Sequence, residues 1–194
     1  MIQDKGHPGD KRGIGNLPGV SARVADLRRL LDREAGLVVR RLREFTESRY
    51  AAAAPPLESR AAVARHLAQV LAVAAQGTES AGAAEEPDWR VLPELPVLAL
   101  ADAVALTAND LLDALASPPE SAWTPDGRRP VSMLAAGMLA EVLLHRRDLD
   151  GSAPGAEATA AALDVLVPGQ AQGPGLLFAQ AQLRCPAYRP WRSD

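Results

Sequence analysis

Two proline pairs divide this chain at points that no helix crosses. Pro55-Pro56 and Pro118-Pro119 remove backbone donors and fix φ, so one helix must end before each pair and another begin after it. The segments between them are rich in Ala, Leu and Val, with only two Phe, two Tyr and three Trp in 194 residues. Ala and Leu favour helix, and the aromatic and β-branched residues favoured in strands are thin apart from Val. At 47% apolar and 23% charged residues, such segments can bury a real core. The expected fold is all-α.

The punctuation places the elements. Ser21 is a good N-cap for a first helix running to about Tyr50. Leu27, Leu30, Leu31, Val38, Leu42 and Phe45 form its apolar face, and Arg and Glu fill a solvated remainder. A second helix is predicted from Arg60 to Gln76, capped by Ser59 and stopped by Gly77. Residues 78–96, with Pro87, Pro93 and Pro96, read as a loop before a third helix from about Val97 to Ala116. Trp123 to Gly127 reads as a turn. Pro130 suits the first position of a fourth helix that runs to Leu149 and ends at Gly151. A shorter fifth helix spans Glu157 to Leu166. Together these predict a four-helix bundle over residues 20–151, a flexible leader over 1–19, and a C-terminal helix and tail over 152–194.

Several function classes lose support at once. Net charge is −3 and no basic stripe is present, which speaks against nucleic-acid binding. No run of about 18 apolar residues exists to cross a membrane, and the N-terminus lacks the apolar region of a signal peptide. The single cysteine, Cys185, rules out an intrachain disulfide or a Cys-rich zinc knuckle. A cytoplasmic protein with small-molecule partners is expected. Gly13-Ile14-Gly15 follows no strand and lacks the third glycine of a dinucleotide loop.

The chain has three histidines, and His7 lies in the leader. His66 shares a helical stripe with Ala62, Val63, Val70 and Val73, so its imidazole points where a core residue would. On the fourth helix Leu134, Met138, Glu141 and His145 are separated by four, three and four residues, and Asp148 extends the stripe. Val142, Leu143 and Leu144 flank it, making the helix apolar nearly all round. A carboxylate buried there needs a cation or several hydrogen bonds. A divalent metal held by His66, Glu141 and His145 would satisfy all three, and two nitrogens plus one oxygen are what an open Zn²⁺ site offers. Ni²⁺ or Fe²⁺ suits such donors as well. Spacing alone leaves two other readings open: a simple i, i+4 helix pair, and a hydrogen-bonded core histidine.

Three elements carry a family resemblance. Val63-Ala64-Arg65-His66-Leu67, Thr124-Pro125-Asp126-Gly127, and Leu139 through Leu149, with Glu141, His145 and Asp148-Leu149, occur in this order. Over roughly residues 20–151 the chain resembles the mycothiol-dependent maleylpyruvate isomerase family, within the DinB-like group of metal-binding four-helix bundles. The resemblance implies that His66, Glu141 and His145 are the metal triad. It also implies an enzyme that uses a metal-activated low-molecular-weight thiol, such as mycothiol, for thiol transfer to a small electrophile or for its isomerisation. Relatives commonly place small and aromatic residues where Arg146 and Arg147 stand. Many also continue into an α/β domain, for which the stretch after Gly151 is too short.

Other residues have narrower expectations. Asp148 is read equally as a ligand-positioning group and a helix-end cap. Asp102, Asn109 and Asp113 share a face of the third helix, more in keeping with solvent than with a cavity. Cys185 has no His or Cys nearby, which argues against a catalytic thiol. Arg184, Arg189 and Arg192, with Tyr188 and Trp191, read as a loose or surface-packed tail, the alternative being a tail folded back over the pocket to bind an anion. Two alternatives stand beside thiol chemistry: a metal-dependent hydrolase, and a non-catalytic ligand-binding bundle with a structural or lost metal.

Overall fold

A computed structural model of the chain describes residues 18–55 and 57–169. The described chain is mostly helical: α1 (Pro18–Arg43), α2 (Glu47–Ala51), α3 (Arg60–Glu79), α4 (Leu100–Ala114), α5 (Val131–Asp150) and α6 (Ala156–Leu166). A small hairpin of β1 (Ser121–Thr124) and β2 (Gly127–Pro130) precedes α5. The all-α expectation holds apart from this hairpin. None of the described helices is long and apolar enough to cross a membrane.

Side-chain bonds fix the directions of the long helices. Arg43 Nη2 lies 2.9 Å from Asp102 Oδ1, and Arg28 Nε donates to the Leu112 carbonyl at 2.7 Å. The end of α1 therefore meets the start of α4, and the two run antiparallel. Arg146 on α5 pairs with Glu34, and Asp150 lies 3.6 Å from Arg41 Nε, so α1 and α5 run the same way. α3 opposes α5, with His66 near His145 at one end and Gly77 near Trp123, just ahead of α5, at the other. It follows that α3 and α4 are parallel neighbours. α1 packs on α4 and α5, α3 packs on the same two, and α6 lies against α5 and α1.

Parallel neighbours need a crossover. At about 1.5 Å per residue α3 is roughly 30 Å long, and the chain between Ser80 and Ala99 must retrace that length. Two glutamines on α3 hold it in place. Gln69 donates to Arg90 O (2.7 Å) and accepts from Leu92 N (2.8 Å); Gln76 donates to Asp88 O (2.6 Å) and accepts from Arg90 N (2.8 Å).

Several expected boundaries shift, each for a local reason. The first helix starts at Pro18 and ends at Arg43 rather than Tyr50. The helix breaks there, and the Leu42 carbonyl accepts from Phe45 N and from the buried Tyr50 hydroxyl, each at 3.0 Å, while Thr46 caps α2. Ser59 caps α3 as expected, its hydroxyl accepting from Ala62 N, but Gly77 does not stop that helix. It sits inside α3 because a Cβ there would lie 2.0 Å from the Trp123 carbonyl oxygen. The glycine permits close approach of β1. The expected turn at Trp123 to Gly127 is the tip of a hairpin, and Pro130 ends β2 immediately before α5. Gly151 closes α5 at φ 78°, the left-handed cap expected of it. His7, Cys185 and the Arg-rich tail lie outside the described residues, as do residues 1–17 of the leader.

Candidate metal centre

The centre forms where α3 and α5 face each other. α5 is buried on most of its circumference, including Leu139, Val142, Leu143, Leu144 and His145, because α1, α3 and α6 all pack on it. Its inward stripe carries Glu141 and His145 one turn apart. From α3, His66 completes the group. One ligand atom from each of the three lies within 4.8 Å of the other two. Glu141 Oε2 stands 3.2 Å from His145 Nε2 and 3.9 Å from His66 Nε2. The side chains are 12%, 1% and 10% exposed for Glu141, His145 and His66.

Hydrogen bonding does not account for this arrangement. The Nε2 atoms of both histidines are buried and have no hydrogen-bond partner among the described residues. The 3.2 Å approach of Glu141 Oε2 to His145 Nε2 is an ion-pair distance that makes no hydrogen bond. A buried nitrogen without a partner costs about 1–3 kcal/mol, and two of them flank one carboxylate here. The donor set fits a divalent ion: two imidazole nitrogens and a carboxylate oxygen, converging from two helices.

Asp148 has a specific place in this geometry. Its Oδ2 lies 3.1 Å from His145 Nδ1, at the i, i+3 spacing of the helix. A carboxylate there accepts an Nδ1–H, which leaves Nε2 of the neutral ring as the lone-pair nitrogen facing Glu141 and His66. Such a carboxylate behind a metal-ligating histidine fixes ring orientation and basicity. Burial works against a charge on His145, but the hydrogen bond to Asp148 and the negative charges of Glu141 and Asp148 outweigh it and raise the imidazole to about 9. An imidazole raised in this way favours a proton at neutral pH, at a group that could hold a metal ion instead.

The other residues singled out from the sequence fall away from the centre. Asp102, Asn109 and Asp113 are exposed, and Asp102 pairs with Arg43. A buried carboxylate that the sequence hid is Glu34 on α1, 2% exposed and paired with Arg146 and, at 3.1 Å, Arg33. By sequence its helix reads as solvated wherever it carries charge. The one clue was Arg146 itself, a departure from the small or aromatic residue expected there. No protein-family model, curated protein or solved structure matches this chain.

Proposed function

We propose that the chain is a DinB-like four-helix bundle that binds one divalent metal, Zn²⁺ foremost, through His66, Glu141 and His145. Its function would be that of a metal-dependent thiol transferase or isomerase acting on a small electrophile with a mycothiol-like co-substrate. One observation carries the metal: the two buried, partnerless Nε2 atoms turned toward a single carboxylate. The bundle reading is supported by four long helices in which α3 and α4 run parallel across a latched crossover.

An open site is favoured over a closed structural one. Among the described residues no fourth His, Cys, Asp or Glu joins the group, and Asp148 is engaged behind His145 instead. A divalent ion in such a site supplies positive charge that lowers the pKa of a coordinated thiol or water. The chain's own contribution is to orient two imidazoles, hold the tautomer of His145 through Asp148, and keep bulk water away with the apolar walls of α5. Thiol chemistry rests on the resemblance of the Val63–Leu67 and Leu139–Leu149 segments, and a reducing cytoplasm suits it.

Metal analysis of protein purified without chelator should find about one equivalent of a transition metal. Substitution with Co²⁺ followed by titration with mycothiol or a short thiol should produce a sulfur-to-cobalt charge-transfer band. A site that binds cobalt but stays spectrally silent with every thiol would remove the thiol reading and leave the hydrolytic or non-catalytic one. Protein that takes up no metal would remove the whole proposal.

A further inference from the structure

At the end of the molecule where α1 stops and α3 begins, three guanidinium groups surround one phenyl ring. The carbons at the centres of Arg49, Arg60 and Arg41 lie 4.8, 5.5 and 5.9 Å from the centroid of Phe45, which is itself buried. Arg41 has carboxylate neighbours: Glu44 at 2.6 Å, and Asp150 at 3.6 Å, too far for a hydrogen bond. Arg49 and Arg60 pair with no carboxylate among the described residues. The Nε atoms of Arg41 and Arg60 are both buried without a hydrogen-bond partner.

The ring does not explain this cluster. A phenyl face attracts a cation, but it does not cancel the repulsion among three, nor does it satisfy in-plane N–H donors. Helix electrostatics accounts for only part of it. Arg41 and Arg49 stand in the last turns of α1 and α2, where a cation complements the helix dipole. Arg60 is the first residue of α3, where a cation meets the positive end of that helix. It is at once on the wrong end, without a carboxylate, and holding a buried N–H with nothing to donate to.

We propose that Arg49 and Arg60, assisted by Arg41, form a binding site for an oxyanion group: a phosphoryl or carboxylate group of a small ligand. Guanidinium forks match the oxygen spacing of both groups, and a bound anion would offset the positive charge of the two arginines that have no carboxylate. The site is separate from the metal centre. Arg60 lies six residues before His66 on α3, about 9 Å along the helix axis.

Inorganic phosphate titrated calorimetrically into the full chain at constant ionic strength should bind at one site. R60Q and R49Q should each weaken it about tenfold or more, as expected for loss of a charge-assisted contact. R90Q, an exposed arginine of the crossover, and H66A should leave it unchanged. An acetate titration tells the ligand classes apart: binding of phosphate alone assigns a phosphoryl group, and binding of both assigns oxyanions generally. The proposal is overturned if neither anion binds, if both R60Q and R49Q bind as the parent does, or if binding disappears in H66A, which would place the anion on the metal instead.

Discussion

Glu34 and Glu141 are both withdrawn from solvent beside or upon α5, and the chain neutralises them in opposite ways. Glu34 meets Arg146 and Arg33, whose guanidiniums are always charged and have no lone pair to offer. That pairing is complete in itself and has no capacity for an ion. Glu141 meets two imidazoles, each able to carry a proton or to lend a lone pair. A buried carboxylate among arginines is a structural fastening. The same group among histidines is a place where a proton could give way to a metal.

The largest effect expected from this contrast lies on the arginine side. Arg146→Ala leaves Glu34 buried beside only the partly exposed Arg33, and breaking a buried pair from one side costs about 3–5 kcal/mol. Denaturant unfolding should show a loss of this order, while metal content per folded molecule stays the same. A loss below about 1 kcal/mol would mean that Glu34 reaches water, and the two carboxylates would then not be comparable.

Substitutions on the histidine side should reverse the pattern. His66→Ala, Glu141→Ala and His145→Ala each delete one donor. Structural zinc sites are worth about 10–16 kcal/mol over four ligands, so each donor lost should weaken the metal at least about a hundredfold. Competition with a chromogenic chelator measures this directly. If His66→Ala binds metal like the parent, α3 contributes no ligand and the centre is only the helix pair Glu141–His145.

The two sites also differ in how far the sequence disclosed them. His66, Glu141 and His145 were readable because helical spacing places them among apolar positions, and rare polar residues on such a stripe stand out. Glu34 did not stand out, since its helix alternates Arg and Glu and its partner lies 112 residues away. The break after Arg43 was masked in the same manner: Leu42, Phe45 and Tyr50 are all buried on either side of it, so the apolar rhythm persists while the helix does not. Gly77 looked like a stop because the approach of Trp123 is a tertiary fact. The hairpin arms, four residues each and ending in Arg128-Arg129-Pro130, carry no strand alternation to detect. The parallel course of α3 and α4 follows from packing, which no local pattern records.

A smaller effect is expected one step behind the ligands. Asp148→Asn preserves shape but replaces the carboxylate that faces His145 Nδ1 with a neutral amide. Losses of about 10–100-fold in metal affinity are typical for such supporting groups, below the loss from a ligand itself. Asp102→Asn, on the exposed face of α4, should change nothing. If Asp148→Asn equals the parent, the aspartate serves the helix end alone.

The gentlest test of the contrast is pH, because of these two clusters only the histidine one has groups that could exchange a proton for a metal. In the metal-free chain the imidazole of His145 is raised from 6.5 to about 9, against the opposing pull of burial, by Asp148 and Glu141. A raised imidazole stabilises the fold fully below the unfolded value of 6.5 and loses that contribution as pH climbs through about 9. Metal-free protein should therefore lose stability across that window. Metal binding should show the opposite sign, since the ion must displace the His145 proton to reach Nε2. Apparent affinity should rise about tenfold per pH unit between 7 and 8, one proton being released per metal bound. Chelator competition and denaturant unfolding of the apoprotein, run over the same pH series, measure both slopes. A metal affinity that is flat over this range would mean that no proton leaves His145, and the ligand set would have to be redrawn without it.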